Sequence, residues 1–314
     1  MDYNQLNCET TTKNVGFGKC VVDWKIMEGF ILFDTPKSFT SDELEDIIDT
    51  IQTLAHSDSK STRAFPITDV FNWTDNSEDV VIQTSDIGKK IVVRDGDYDW
   101  TSQHTKGANC LLEALQSHNG DVHLLYFDRE GKLLGTKRNG LFSTIPVMLH
   151  GLSWKTATGA GVAQYLVRHI FNAEYVNGGN AAFVKCNLAD LKGLTGLQDL
   201  KFVVNSFNDT TGIANVKIVT DCGSANVGQI YNTEFASGAL YNAINAETGD
   251  DIAVSAVTYF PNNGSFDVQL NAADPHYPSD GKILLGLAAP SVLSAAGISG
   301  YELYEKAELE VINS

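Results

Sequence analysis

The sequence predicts a mainly β chain with a few helices, α+β in class and divided into two domains. Three observations predict it. Short β-branched and aromatic runs alternate with Gly, Asn, Asp, Ser and Thr along most of the 314 residues. A full helical stripe behind a capping box appears once, over residues 41–55. Beyond residue 199, strand-like runs follow one another at short spacing.

Taken in order, Val21, Val22, Trp24 and Ile26 predict one strand and Gly29–Phe33 another. In Thr40-Ser41-Asp42-Glu43, Thr40 and Glu43 can each satisfy a backbone amide at a helix start. Leu44, Ile47, Ile48, Ile51 and Leu54 follow at helical spacing, a stripe most simply read as core packing. His56–Thr62 is polar and reads as an exposed loop, and strand-like composition returns from Phe65 to Trp73. The kernel of the first domain is residues 79–155. In it Val80, Ile82 and Ile91–Val93 read as extended, and Asn109–His118 as a short helix with Leu111, Leu112 and Leu115 on one face, ended by Asn119-Gly120. Asp121–Phe127 and Lys132–Thr136 form a hairpin closed by Asp128-Arg129-Glu130-Gly131. Leu141–Leu149 and Leu152–Trp154 look extended, and Thr158-Gly159-Ala160-Gly161 marks a turn. Helical spacing can be drawn through Val162, Leu166, His169 and Ile170, but alternation through Val167, His169 and Phe171, with Gly-rich turns on both sides, favours a strand.

Residues 186–199 read as a boundary, since Gly193 and Gly196 interrupt short apolar pairs and disfavour a long helix. After it, Leu200–Val204, Ala214–Thr220, Gly228–Tyr231, Ile252–Tyr259, Ser265–Leu270, Ile283–Leu287 and Ala307–Ile312 are strand candidates. That cadence is the pattern of an immunoglobulin-like sandwich, without the paired cysteines and core Trp of antibody domains. The division is therefore 1–199 and 200–314.

Acidic residues outnumber basic ones 39 to 22, a net charge of −17, so most of the surface should repel a nucleic-acid backbone. Residues 200–314 carry Lys201, Lys217, Lys282 and Lys306 against 13 acids. Tight DNA binding is disfavoured, whereas an acidic wall suits a passage along which DNA slides. The amino terminus has neither the basic nor the apolar region of a signal peptide, and no run approaches the ~18 apolar residues of a membrane span. A soluble protein made in a reducing cytoplasm is expected. Cys8, Cys20, Cys110, Cys186 and Cys222 are odd in number and widely spaced, which predicts buried free thiols and no structural zinc site.

No constellation signposts catalysis. Asp95, Asp97 and Asp99 resemble the start of a calcium loop, but Trp100 and Lys106 stand where Gly and Glu are required, so an acidic turn is the reading. Gly159 and Gly161 lack the rest of a dinucleotide fingerprint. The histidines at 56, 104, 118, 123, 150, 169 and 276 are scattered, and only His123 shares a strand face with a nearby carboxylate, Asp121. Catalytic, cofactor-binding and metal-binding residues are each expected to be none.

Three stretches carry a family resemblance: "SEDVVIQTSDIGKKIVVRDGDYDW", "CLLEALQSHNGDVHLLYFDREGKLLGTKRNG" and "LADLKGLTGLQDLKFVV". Together with the carboxy-terminal "GYELYEKAELEVI", the chain from about residue 65 resembles virion proteins of Bacteroides-type phages, crAss-like or related. The resemblance implies a tail-tube or neck-ring subunit. It further implies a tail-tube-like sheet or sandwich with a flanking helix over 1–199, the 41–55 helix as an insertion or peripheral element, and an appended immunoglobulin-like domain. The implied role is a non-enzymatic ring of six or twelve subunits, assembled in the bacterial host cytoplasm. Its partners would be other virion proteins of the portal–tail axis and DNA in transient contact, with no membrane and no cofactor. The alternative is a fibre or surface adhesin that binds glycan through exposed aromatics of the sandwich, Tyr259, Phe260, Tyr277 or Tyr301.

Overall fold

A computed structural model describes residues 4–5, 27–77, 81–84, 86, 90–94, 97–105, 108–155, 164–175 and 180–312. Strand outweighs helix 49% to 18%, so the protein is mainly β with a few helices, as the sequence predicts. Two compact units divide between Gly196 and Leu197, three residues before the expected boundary.

The first unit contains β1 (Asn4–Gln5), β2 (Met27–Phe33), β3 (Ser38–Phe39), β4 (Ala64–Ile67), β5 (Asn72–Asp75), β6 (Val81–Thr84), β7 (Lys90–Arg94) and β8 (Asp97–His104). It continues with β9 (Gly120–Asp128), β10 (Lys132–Arg138), β11 (Leu141–Ser143), β12 (Ile145–Lys155), β13 (Gln164–Asn172) and β14 (Ala181–Lys185). Its helices are α1 (Ser41–Glu45), α2 (Ile47–Ala55), α3 (Ala108–Ser117) and α4 (Leu188–Gly193). Within the ambiguous 162–175 stretch, Gln164–Asn172 is a strand and Ala173–Tyr175 a 3-10 turn, while 162–163 lie outside the described residues. The Val21–Ile26 strand and the turn at 158–161 lie outside the described residues.

All these strands except the β6–β7 hairpin join one twelve-stranded sheet, in which β9 is the hub. It pairs with β2 on one edge, and with β10 and then β12 on the other. The runs Phe30-Ile31-Leu32-Phe33 and Leu124-Leu125-Tyr126-Phe127 are continuously apolar because both faces are covered. Phe30, Leu32, Leu124 and Tyr126 enter a core shared with Leu115 of α3, β12 and β13. Ile31, Phe33, Leu125 and Phe127 enter another, with Leu44, Ile47, Ile51, Ala55 and Leu191. The stripe of residues 41–55 is therefore core. Of the leucines predicted for the α3 face, Leu115 is buried, and the side chains of Leu111 and Leu112 lie outside the described residues.

The capping box forms as predicted. Thr40 Oγ1 accepts from the Glu43 amide, and Glu43 Oε2 accepts from the Thr40 amide at 2.8 Å. Lys37 adds an ion pair to Glu43 at 2.6 Å. The predicted single helix is two, since the chain leaves helical geometry at Asp46 (φ −122°, ψ 49°), an intrinsically poor helix former. Replacing Thr40 by Ala is expected to destabilise the protein by ~1 kcal/mol. A chemical-denaturation midpoint shift checks this, and Thr40→Ser should retain most of the stability.

The second unit comprises β15 (Gln198–Asn208), β16 (Ile213–Thr220), β17 (Tyr241–Asn245), β18 (Asp251–Ile252), β19 (Val254–Phe260), β20 (Ser265–Leu270), β21 (Gly281–Leu287), β22 (Tyr301–Leu303) and β23 (Ala307–Val311), with α5 (Val227–Ile230) and α6 (Pro290–Ala295). One sheet runs β19-β20-β16-β15-β22 and the other β18-β17-β21-β23, and both bury side chains in one core. With β22 set aside and β15, β16, β17, β18, β19, β20, β21 and β23 lettered A, B, C, C′, D, E, F and G, the sheets read D-E-B-A and C′-C-F-G, the order of an immunoglobulin-type sandwich. The short β22 is an addition, parallel to the first three residues of β15.

Two expectations are corrected here. Gly228–Tyr231 is not a strand but falls on α5, whose start is fixed by Asn226 Oδ1 accepting from the Gln229 amide at 3.0 Å. Cys222 is not a free thiol but disulfide-bonded, since pairing depends on distance in the fold and not on spacing in the chain. Cys186 is free and half-buried, and burial pushes its thiol up to about 11.

Candidate functional site

Alternation along β8 turns Trp100, Ser102 and His104 to one face, and alternation along β13 does the same for Val167, His169 and Phe171. The register sets Ser102 opposite Val167 and His104 opposite Tyr165. As a result both imidazoles converge on one hydroxyl. Ser102 Oγ lies 2.9 Å from His104 Nε2 and 2.9 Å from His169 Nε2, and Tyr126 Oη of β9 lies 3.3 Å from His169 Nδ1. A serine hydroxyl holds one proton, so it donates to at most one Nε2 and accepts an N–H from the other, with the Val167 carbonyl a further acceptor at 3.4 Å.

Aromatic rings close over this network. His104 stacks on Tyr165 with centroids 5.0 Å apart, and Phe30 meets His169 edge-on at 4.9 Å. Trp73 lies 5.1 Å from His169, and its indole N–H donates to the Met27 carbonyl. Burial lowers His104 to about 4, although Asp69 beside it favours the charged form. Burial, with His104 nearby, also holds His169 well below the ordinary histidine range. Both rings are therefore neutral at pH 7.

A serine between two histidines is the residue set of nucleophilic catalysis. Its burial decides against that role, because Ser102 and His169 are 0% exposed and His104 1%. No substrate reaches the hydroxyl. The network instead pairs the Ser102 hydroxyl, His104 Nε2, both His169 nitrogens and the Tyr126 hydroxyl inside an aromatic core and ties β8, β9 and β13 together. No histidine here was singled out from sequence, although alternation through Val167, His169 and Phe171 already places His169 on the inward face.

Two open grooves lie on the first unit. One, of about 550 Å³, is lined by Ile47, Ile48 and Gln52 from α2 and by Cys186, Ala189 and Leu194 around α4. Another, of about 460 Å³, brings Asp121 and His123 of β9 together with Pro146, Met148, Ile170 and Asn172. The predicted shared face of Asp121 and His123 is thus present. Burial, with Arg138 nearby, lowers the His123 imidazole against the opposing pull of Asp121. His123 Nδ1 has no hydrogen-bond partner among the described residues, and no Ser, Thr, Cys or Lys lines the groove for it to activate.

Asp99 is bound by Arg168, with Nε at 2.9 Å from Oδ1, while Asp95 lies outside the described residues. Among the described residues no group of three or more His, Cys, Asp or Glu could hold a metal ion, and no helix is long and apolar enough to cross a membrane. Tyr259, Tyr277 and Tyr301 pack against the sandwich core, Tyr277 Oη donating to the Asp209 carbonyl at 2.8 Å, whereas Phe260 is 40% exposed. No protein-family model matches this chain, and no curated protein matches it.

Proposed function

We propose that this chain is a non-enzymatic virion subunit that assembles into a ring or tube of a phage neck or tail, through which DNA passes. The observation that carries the reading is where the chemistry-bearing side chains lie, with the Ser102–His104–His169 network sealed in the core and the surface left to strand edges and carboxylates. The immunoglobulin-type sandwich following a broad sheet with helices packed on it supports the same role, as does the sequence resemblance from residue 65 onward. A net charge of −17 makes a conduit physically coherent. Every phosphate neutralised by a wall adds to affinity, and a wall that repels phosphate lets the polymer move.

Mass photometry of the purified chain tests the proposal, followed by electron microscopy of the particles. Closed rings of six or twelve copies with an axial channel are the expected result. A trimer would favour a fibre, and a small oligomer without a channel would overturn the conduit.

A further inference from the structure

Most strand edges in the second unit are protected in ordinary ways. β18 has two residues and β22 three, and β23 turns Glu308 and Glu310 to solvent. Two edges are different. β19 forms one border of its sheet over seven residues, Val254–Phe260, with no charge and no proline. At the other border, β22 covers only Gln198–Leu200 of β15, leaving Lys201–Asn208 without a ladder partner on that side among the described residues. This second stretch has Lys201 as its one charge. Neither edge carries a carboxylate, although residues 200–314 hold 13 acids against four lysines.

Exposed apolar side chains are found on both of these edges, as they are elsewhere in the unit at Ile230, Val292, Tyr304 and Ile312. Val203 is 41% exposed, Val204 38% and Phe260 40%. Phe260 faces Ser265, and its carbonyl accepts from the Gly264 amide at 2.9 Å, so its backbone is directed toward the hairpin. By the alternation of an antiparallel ladder, Tyr259 and Val257 direct their N–H and C=O groups outward. Each strand has one bulge, between Val204 and Ser206 and between Val254 and Ala256. The stretches Lys201–Val204 and Ala256–Phe260 stay regular.

We infer that these edges are the two halves of one seam, in which β19 of one copy pairs antiparallel with Lys201–Asn208 of β15 in the next. The strand directions select a second copy as the occupant. β15, β16, β20 and β19 are successively antiparallel, so β15 and β19 run in opposite directions. A second copy in the same orientation therefore presents β15 antiparallel to β19 and continues the ladder without inversion. Two different surfaces in head-to-tail contact are what a closed ring requires. The free lengths match, at eight and seven residues, and the missing carboxylates let two copies of net charge −17 meet without opposing like charges across the ladder. This inference rests on the proposal that copies of the chain assemble with one another, and it names the strands that join them.

The test uses two full-length variants, Val203→Lys with Val204→Lys on one edge, and Thr258→Lys with Phe260→Lys on the other, each shown by circular dichroism and unfolding midpoint to keep the fold. Each variant alone is expected to fall from the wild-type assembly to the 34.1 kDa single chain in mass photometry. Mixed in equal amounts, they should give a particle of twice that mass, because one intact β15 edge and one intact β19 edge remain. Wild-type-sized assemblies from either variant would overturn the seam while leaving the ring standing. A β15 variant that dimerises by itself would replace it with a two-fold β19–β19 contact. A wild-type chain that stays monomeric at high concentration would overturn both.

Discussion

Between pH 7 and pH 5 the protein is expected to lose stability steeply, well before most carboxylates titrate. An unfolded histidine has its ordinary pKa near 6.5 and binds a proton over this range, whereas folded His104 holds its value at about 4. Below 6.5 the unfolded state therefore binds more protons than the native one, and stability falls with pH. The contribution of His104 is fully present above pH 6.5 and is lost as pH drops toward 4, amounting to about 2 kcal/mol by pH 5. His169, held low by burial and by His104, acts in the same direction. Protonating either ring would place a cation among Phe30, Trp73, Tyr126 and Tyr165. Urea midpoints at pH 7, 6 and 5 measure the loss, and a His104→Gln, His169→Gln double variant should show a flatter profile. An unchanged midpoint in the wild-type chain would mean that water reaches the network and that the rings titrate normally.

The sealed network also shows what sequence can and cannot reveal. Continuous apolar runs at 30–33 and 124–127 identify strands buried on both faces, and the Thr40–Glu43 box places a helix start to the residue, because these signals are local. Periodicity cannot say that residues 102, 104 and 169 meet, since this depends on the β8–β13 register, which only the fold sets. β17 was missed for a related reason. In Tyr241-Asn242-Ala243-Ile244-Asn245 the inward positions are Tyr, Ala and Asn, so the pattern of apolar residues does not match the pattern of burial. Asn245 is tolerated inside because its Nδ2 donates to the His276 carbonyl at 2.9 Å. The β10–β11 hairpin turns on Asn139-Gly140, both with positive φ, a turn signal that is visible in the sequence. The disulfide at Cys222 and the uncharged edges of β15 and β19 gain meaning only once partners and borders are known.

Replacing Gly131 by Ala should destabilise the first unit far more than replacing Gly140 by Ala, though both glycines sit at left-handed φ, +77° and +81°, at the ends of β10. The conformational penalty is common to the two and amounts to about 1–2 kcal/mol for a residue with a Cβ. Space separates them. A Cβ on Gly140 meets nothing within 4 Å, whereas one on Gly131 would run into the Cys186 carbonyl oxygen and approach the Leu188 amide nitrogen to 3.2 Å. The obstruction is backbone, and it is fixed. The Gly131 carbonyl accepts from the Cys186 amide at 2.7 Å, and Asp128 Oδ1 closes the turn by accepting from the amides of Glu130 and Lys132, each at 2.9 Å. Relief requires moving the β9–β10 turn away from the segment that leads from β14 into α4, and that segment carries Leu191 into the core. Such overpacking adds about 1–3 kcal/mol to the shared penalty. Thermal or urea unfolding of the two variants side by side should separate them by that amount. Equal losses would show that the contact between the turn and Cys186 yields easily and that only the φ preference of glycine matters at this turn.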